Sequence, residues 1–343
     1  MNTRRRGAAA IVATLLAAAL APPARAEWFK RVDDGIMGTR IVVELWSEQP
    51  TAGEHAIDAV LAEMRHIDAA MSTYKPDSEV SRVNAEAARH PVKIGAELFG
   101  LLETALEYSR ITDGAFDITY ASVGFMYDFR ARHHPDDQQI AAALPAVNYH
   151  HLVLDRATRS VRFTQAGVRI DLGGIAKGYA VDRGIEILQR LDIRHALVSA
   201  GGDSRIIGDR FGKPWIVGIR HPDRKDEVIA RIPLVDTAIS TSGDYERYFD
   251  ERGVRYHHII DPRTGHSASA VRSATVLAPT ATRTDGLSKT AFVLGAEAAL
   301  RIYARLGDVE AILVRPDGKV LYSRGLEPAR PNPGPPVPKP AGE

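Results

Sequence analysis

The chain of 343 residues carries 44 Lys and Arg against 43 Asp and Glu, and it contains no cysteine. Setting aside residues 1–26, which hold four arginines and no acidic residue, lowers the formal net charge from +1 to −3, so the charge gives no electrostatic support for nucleic-acid binding. The lack of cysteine excludes disulfides and thiolate chemistry. The remaining 317 residues are sufficient for one large domain or two merged ones.

The two ends differ in composition from the middle of the chain. Three arginines at positions 4–6 precede an apolar run over residues 8–21, and Ala-Arg-Ala at 24–26 is typical of a cleavage site. This pattern predicts a cleaved signal peptide over residues 1–26 and export to the periplasm by the Sec or the twin-arginine route. A membrane anchor is the alternative, but the run is shorter than the ~20 apolar residues of a spanning helix. Residues 327–343 hold seven prolines, which predicts a disordered, extended tail.

Apolar spacing along the middle of the chain predicts short strands and amphipathic helices. In chain order we predict a strand over residues 40–46, helices over 54–71 and 96–110, a hairpin over 151–170, a helix over 175–191, the short strands HALVSA, PWIVGIR, VIARIPL, TAIST, YHHII and SATVLA, helices over 284–294 and 296–306, and a closing hairpin, AILVRP-DGK-VLYS. Because the strands come in runs and the helices in pairs, this order favours an α+β fold with mostly antiparallel sheet over a regular βαβ winding.

Several common site motifs are missing from the sequence. It has no GxGxxG or GxxxxGK[ST] loop, no HExxH, no GxSxG and no EF-hand loop. The usual dinucleotide, nucleotide, zinc and serine-hydrolase interpretations therefore lack their signatures.

The segment IDLGGIAKGYAVD, residues 170–182, joins an extended stretch to a predicted helix. Its two adjacent glycines allow a tight turn. The free N–H groups and dipole of the helix start suit an anion, and Lys177 adds a full positive charge. Asp171 is placed to accept hydrogen bonds from a sugar or a base. The residues alone leave open a plain strand–turn–helix joint with a surface lysine.

Two later segments carry groups suited to phosphate chemistry. In TRTDGLSKT, Asp285 and Ser288 lie three positions apart on a predicted helix and so face one side, which suits a hard cation such as magnesium. A helix N-cap region is the alternative there. In YHHIIDPRTG, a histidine at the end of a strand is followed by a turn, which suits proton transfer, and a structural histidine is the alternative.

Two earlier segments carry candidate ring-binding residues. Tyr74, in MSTYKPDSEVS, is suited to stacking on a flat ring. Asp117, in GAFD, is suited to hydrogen bonding with one. Ordinary surface positions are the alternative for both.

Taken together, these segments resemble the ApbE-type FAD:protein FMN transferases. The matching segments, which run from about residue 37 to 295, are Met37-Gly38-Thr39, MSTYKPDSEVSRVN, GAFD, IDLGGIAKGYAVD, SAGGD, AISTSGDYERYF, HIIDPRTG and TDGLSKTAFVLG. The resemblance implies an ApbE-like α+β fold over residues 27–326, with mostly antiparallel sheets packed with helices in two closely merged halves. It also implies a magnesium-dependent transfer of FMN from FAD to a Thr or Ser hydroxyl of a client flavoprotein, with release of AMP.

The same resemblance implies roles for particular residues. The FAD-binding positions are expected to be Met37, Tyr74, Ala115, Phe116, Asp117, Asp171, Lys177 and Ile259. The metal positions are expected to be the Gly174 carbonyl and Asp285, with Ser288 and Lys289 at the next ligand positions, and the expected base is His258. The implied clients are flavoproteins of membrane electron transport, which would place the enzyme close to the inner membrane.

Lys289 departs from the family pattern, which often has threonine four residues after the metal-binding aspartate. A protonated lysine cannot ligate magnesium, and its charge opposes that of the ion. Three outcomes are open: a backbone carbonyl replaces the hydroxyl, the Lys289 amine turns to a phosphate, or metal binding is weakened. Two alternatives to transfer are a magnesium-dependent pyrophosphatase that splits FAD into FMN and AMP, and a non-catalytic periplasmic FAD-binding protein.

Overall fold

The structure, a computed structural model, describes residues 26–224 and 227–326. The predicted signal peptide, residues 1–26, lies outside these ranges except for Ala26, and the predicted Pro-rich tail, residues 327–343, lies wholly outside them. Within the described ranges, no helix combines the length and the apolar character needed to cross a bilayer.

The described residues form strands and helices in an irregular order along the chain. The strands are β1 (Glu27–Asp33), β2 (Ile41–Ser47), β3 (Val92–Lys93), β4 (Leu152–Asp155), β5 (Ser160–Phe163), β6 (Ala196–Ala200), β7 (Asp203–Ile207), β8 (Trp215–Arg220), β9 (Val228–Leu234), β10 (Ala238–Gly243), β11 (Tyr248–Glu251), β12 (Val254–His257), β13 (Ser273–Ala278), β14 (Glu310–Val314) and β15 (Val320–Tyr322). The α-helices are α1 (Pro50–Met71), α2 (Glu79–Glu86), α3 (Ala96–Ile111), α4 (Ala121–Gly124), α5 (Asp137–Ala143), α6 (Ala176–Arg190), α7 (Ala281–Ser288), α8 (Thr290–Leu294) and α9 (Ala296–Leu306).

One large sheet organises the molecule. It contains eight strands in the order β1-β2-β6-β7-β10-β13-β14-β15, and every neighbouring pair is antiparallel. Three small antiparallel sheets pair β11 with β12, β8 with β9, and β5 with both β3 and β4. The predicted α+β fold with mostly antiparallel sheet is therefore confirmed.

Side chains along each strand of the large sheet point alternately to its two faces, and each face packs against a different layer. On the first face, Val43, Val198 and Val276 are fully buried in the hydrophobic clusters that also contain residues of α1, α6, α7 and α9. On the opposite face, Ile206 and Ile239 pack in a separate cluster beneath the β8–β9 hairpin. The sheet thus lies between a layer of helices and a β-hairpin.

The three tryptophans of the chain gather on the hairpin side of the sheet. The Trp28 ring packs edge-on against Trp46 and Trp215, with ring centroids 5.7 and 5.3 Å apart. The Arg210 guanidinium lies 4.3 Å from the centroid of the Trp28 ring and 4.7 Å from that of Trp215. This tryptophan cluster therefore lies across the sheet from α6 and α7.

Helix α1 shows how sequence spacing fixes a helix on the sheet. Its residues Ile57, Val60, Met64 and Ile67 are fully buried and recur at helical spacing. Burying each side chain contributes ~1.5–3 kcal/mol. The helix begins at Pro50 rather than at the predicted residue 54, because the fixed φ of proline suits the first helical turn.

Most of the predicted elements are confirmed, with three kinds of difference. The sequence does not predict β1, β7 or β11, because charged residues interrupt their apolar pattern and only pairing with a neighbouring strand reveals them. It also does not predict the two-residue strand β3 or the short helices α2, α4 and α5. The single helix predicted over residues 284–294 is wrong, since the structure breaks it at Lys289 into α7 and α8. The strand predicted for YHHII ends at His257, so Ile259 and Ile260 lie beyond it.

Candidate active site

Helices α6 and α7 touch backbone to backbone where Gly178 meets Ala281. A Cβ atom on Gly178 would lie 2.2 Å from the Ala281 carbonyl oxygen and 2.8 Å from the Asp285 Cβ, so only glycine fits this position. The contact brings Lys177, in the first turn of α6, beside Asp285 in α7.

Two lysines and two aspartates form a largely buried ion cluster, which consists of Lys177, Asp203, Asp285 and Lys289. Lys177 Nζ lies 3.1 Å from the Asp203 carboxylate and 3.4 Å from one oxygen of the Asp285 carboxylate. Lys289 Nζ pairs with the other oxygen of that carboxylate. With two positive and two negative side chains, the ion cluster is formally neutral in the free protein.

Attraction between these groups opposes the cost of burying their charges. Burial raises the pKa of Asp285, but Lys177 and Lys289 together lower that pKa below its usual value. Burial disfavours the charge on Lys177, yet the Asp203 and Asp285 carboxylates raise the Lys177 pKa above its usual value. Burial and the Asp285 carboxylate raise the pKa of Asp203. Asp285 is therefore the carboxylate that the ion cluster holds most firmly in its ionised form.

The start of α6 is bound by groups of the protein itself. The Gly178 N–H donates to the Asp285 carboxylate at 3.1 Å. The N–H groups of Ile175 and Ala176 both donate to the Leu172 carbonyl oxygen. Three N–H groups at the helix start, those of Ile175, Ala176 and Gly178, are therefore satisfied within the protein, and the full positive charge there is that of Lys177.

Three oxygen atoms converge on the Lys289 ammonium group. The Asp285 carbonyl oxygen lies 2.8 Å from Nζ, the Gly174 carbonyl oxygen lies 3.4 Å from it, and the Asp285 carboxylate forms the ion pair. Ser288 donates its hydroxyl to the Asp285 carbonyl oxygen at 2.9 Å and pairs with the Ser242 hydroxyl at 2.8 Å. Carboxylate and carbonyl oxygens are the donors that hard cations prefer, so these residues fit magnesium by donor type.

In the part of the chain that the structure describes, acidic and imidazole side chains do not form a metal site of their own. Across residues 26–224 and 227–326, no group of three or more His, Cys, Asp or Glu side chains is arranged to hold a metal ion. A cation at the Asp285 oxygens would therefore depend on backbone carbonyls for part of its coordination, as the family resemblance implies for Gly174.

Asp171 is held in a turn by three donors. Its carboxylate accepts hydrogen bonds from the Thr73 hydroxyl at 2.9 Å, the Tyr120 hydroxyl at 3.1 Å and the Gly173 N–H at 2.7 Å. Burial and the Asp171 charge raise the pKa of Tyr120, so its hydroxyl stays protonated and donates. Tyr74, next to Thr73, leaves 88% of its surface exposed, so its ring is open to a ligand rather than packed in the core.

The GAFD segment is mostly interior. Ala115 and Phe116 are buried, and the Phe116 ring lies against Gly174, where an added Cβ would be 3.4 Å from it. The buried Asp117 carboxylate accepts from the Thr119 N–H and hydroxyl and from the Tyr149 N–H, at 2.6 to 2.8 Å. Asp117 thereby fixes the short 3₁₀ turn that carries Tyr120.

The two remaining predicted FAD positions lie at the edge of the core. Met37 is half-buried, packs against the large hydrophobic cluster and has a φ of +53°, a left-handed conformation that is uncommon outside glycine. Ile259 is buried and follows the histidine pair directly.

His257 and His258 have different partners. The His257 Nε2 donates to the Ala268 carbonyl oxygen at 2.8 Å, and its Nδ1 accepts from the Ile259 N–H at 3.3 Å. The buried Nδ1 of His258 has no hydrogen-bond partner among the described residues. Burial, helped by the charges of His257, Arg247, Lys289 and Lys177, lowers the pKa of His258 to about 3. His258 is therefore a neutral imidazole beside the ion cluster, and its buried Nδ1 is not engaged by the described residues.

Two residues of this site escape sequence reasoning. Asp203 lies within the SAGGD segment, so that segment was the available signal, but only the fold brings its carboxylate to Lys177. Tyr120 had no such signal, because its hydroxyl reaches Asp171 only after the 3₁₀ turn has formed.

The sequence profile of the ApbE family matches residues 37–313. The chain is 33% identical to an FAD:protein FMN transferase of Treponema pallidum, with 85% of this chain and 86% of that protein covered. It is 36% identical to an FAD:protein FMN transferase of Haemophilus influenzae, with 77% and 80% covered.

Solved structures show the same similarity. The crystal structure of the ApbE protein of Thermotoga maritima has a TM-score of 0.81 and 35% identity, with 87% of this chain and 98% of that chain covered. The flavin transferase ApbE of Vibrio cholerae has a TM-score of 0.78 and 29% identity over the same shares.

Proposed function

The chain belongs to the ApbE family, and on that basis we propose that it transfers FMN from FAD to a Thr or Ser hydroxyl of a client flavoprotein. The hydroxyl oxygen attacks the FMN-side phosphorus of FAD, the bond from that phosphorus to the bridging oxygen breaks, and AMP leaves with that oxygen. The observation that carries this proposal is the neutral ion cluster of Lys177, Asp203, Asp285 and Lys289 beside an uncharged His258.

His258 is the group we assign to the proton. A base must be neutral before it accepts a proton, and the lowered pKa of His258 keeps it neutral near pH 7. A base with so low a pKa is a weak acceptor, but a bound diphosphate adds negative charge nearby and so favours the protonated form. Substrate binding therefore raises the pKa of His258 towards the range in which it works.

Lys177 and Lys289 are the groups we assign to the diphosphate. Phosphoryl transfer depends on charge neutralisation and alignment more than on covalent help. Both ammonium groups lie in the ion cluster with less than a quarter of their side-chain surface exposed, where their charge acts more strongly than in water. Of the other predicted FAD positions, Tyr74 offers an exposed ring, and the Asp171 carboxylate is oriented by its three hydrogen-bond donors. Met37, Ile259 and the Ala115–Asp117 segment would line the FAD-binding site.

We also propose that the reaction requires magnesium, held by the Asp285 oxygens and the Gly174 carbonyl. A bound magnesium ion supplies Lewis acidity and alignment to a phosphate group. The support is the donor type of these oxygens together with the family resemblance.

The site of action that we propose is the periplasm, near the inner membrane, with flavoproteins of membrane electron transport as clients. The support is the signal-peptide pattern of residues 1–26 and the clients that the resemblance implies.

A mass measurement tests the transfer directly. Purified protein, FAD, magnesium and a candidate client are incubated, and the client should gain the mass of one esterified FMN, while the Asp285→Ala variant should give none. AMP release without a client would instead identify a pyrophosphatase. Intact FAD and unmodified protein across a panel of clients would contradict the proposal.

A further inference from the structure

The position of Lys289 has a consequence for how the site receives a metal. Its Nζ sits where the Asp285 carboxylate, the Asp285 carbonyl and the Gly174 carbonyl converge. These are the same oxygens that a hard cation would use. The ammonium group is therefore already in contact with the donors that a divalent ion needs.

Two segments of the chain hold the Lys289 side chain in this position. Lys289 is the residue at the break between α7 and α8, four positions after Asp285, so its side chain runs back along the helix to that aspartate. Gly174 belongs to the turn before α6, and its Cα approaches the Lys289 stem closely, since a Cβ there would lie 3.7 Å from the lysine Cε. The ammonium is thus held between two segments that are far apart in sequence.

Charge balance gives the second part of the argument. The ion cluster is formally neutral as it stands, with Lys177 and Lys289 matching Asp203 and Asp285. A divalent ion added to the same oxygens would leave two unmatched positive charges in a largely buried place, which is strongly unfavourable. A bound diphosphate would change that balance, because it brings negative charge and offers Lys289 another partner.

We propose that the Lys289 ammonium is the resident cation of the free protein and competes with divalent metal ions for the Asp285 and Gly174 oxygens. The metal then enters together with the diphosphate, when Lys289 turns to a phosphate oxygen. That the metal serves flavin transfer rests on the proposed function, but the competition itself does not, since it concerns the protein without substrate.

The test is a Mn²⁺ titration of the full chain, followed by electron paramagnetic resonance, with neither FAD nor a client present. We expect the wild-type protein to bind Mn²⁺ at least tenfold more weakly than Lys289→Met and Lys289→Thr. The methionine variant is decisive, because it removes the ammonium without adding a ligand, whereas threonine could raise affinity by contributing its own hydroxyl. Lys93→Thr, which removes an exposed lysine on β3, is the matched control and should bind like wild type.

Two results would overturn the inference. One is equal Mn²⁺ affinity in the wild-type and Lys289→Met proteins, whether strong or absent in both. The other is a gain in the threonine variant alone. Asp285→Asn combined with Lys289→Met should lose the acquired Mn²⁺ binding, which locates the ion at these oxygens, and circular dichroism checks that each variant is folded. Failure of flavin transfer would leave these metal affinities unchanged, so the two ideas are tested separately.

Discussion

His257 and His258 are neighbours in the chain, but both ring nitrogens of His257 are hydrogen-bonded, whereas the buried Nδ1 of His258 has no partner among the described residues. The charges that act on the two rings also differ, since those of Asp244, Arg255 and Arg272 act on His257, whereas those of Lys177 and Lys289 act on His258. The sequence resemblance selects His258, and the hydrogen bonds supply the physical difference that a sequence does not show.

Replacing His258 with Gln should lower the rate of FMN transfer by about 10²–10⁴-fold, the usual contribution of a general base. FAD affinity should change little, since the side chain is assigned to a proton and not to the cofactor. Single-turnover transfer and FAD fluorescence titration measure the two effects. His257→Gln is the control, and it should act mainly on stability; a His258→Gln enzyme as fast as wild type would remove His258 from the mechanism.

The same residue predicts a pH effect on stability. Burial lowers the His258 pKa to about 3 when folded, against about 6.5 when unfolded. Between pH ~3 and pH ~6.5 the His258 side chain is protonated in the unfolded chain but neutral in the folded protein. The free energy of unfolding therefore rises with pH across this range, and the gain is complete above pH ~6.5. When the pH is lowered from 7 to 4.5, the free energy of unfolding of wild type should therefore fall by about 2 kcal/mol more than that of His258→Gln. Urea denaturation at the two pH values measures this difference. Identical losses would mean that the folded pKa is not depressed.

Asp285 joins structure and chemistry in one side chain. Asp285→Ala leaves the Lys177 and Lys289 ammonium groups without their shared carboxylate and frees the Gly178 N–H. We expect the free energy of unfolding to fall by ~3–5 kcal/mol, the usual cost of breaking a buried ion pair, and transfer to be lost. Asp317→Ala, at an exposed position between β14 and β15, should cost less than ~1 kcal/mol. Equal stability losses in the two variants would contradict the neutralising role of Asp285.

At the level of elements, the contact between α6 and α7 determines the geometry of the ion cluster. Gly178 permits this contact, because the backbone of Ala281 occupies the space that a Cβ atom would need. The sequence shows a glycine early in a helix, which ordinarily only weakens a helix, and it cannot show that another helix fills the space. The break at Lys289 is likewise invisible to apolar spacing, since apolar residues continue on both sides of it.

Gly178→Ala should therefore separate α6 from α7. The added methyl group would overlap the Ala281 carbonyl, so we expect a loss of ~1–3 kcal/mol, typical of overpacking, and a slower transfer rate because Lys177 moves away from Asp285. Gly100→Ala in α3 is a matched control: its Cβ would meet nothing within 4 Å, and it should be neutral or stabilising by up to ~1 kcal/mol. Equal behaviour of the two variants would show that the α6–α7 contact adapts freely.

At the scale of the whole molecule, sequence reasoning reached the fold class, most of the helices and the segments that form the site. It did not reach their mutual arrangement. Lys177 and Asp285 are 108 positions apart, and the neutral balance among four charged residues appears only when β7, α6 and α7 meet. Local spacing carries no information about such long-range partners, which is why the Asp203–Lys177 pair and the Gly174 carbonyl beside Lys289 became visible only in three dimensions.

The tryptophan cluster gives this protein a built-in optical reporter of folding. Because Trp28, Trp46 and Trp215 all lie on the hairpin side of the sheet, the tryptophan emission of the protein without flavin reports on that side. Substitutions on the helix side, such as Gly178→Ala, should shift the denaturation midpoint while leaving the native emission spectrum unchanged. A changed native emission spectrum would show that the disturbance is transmitted through the sheet.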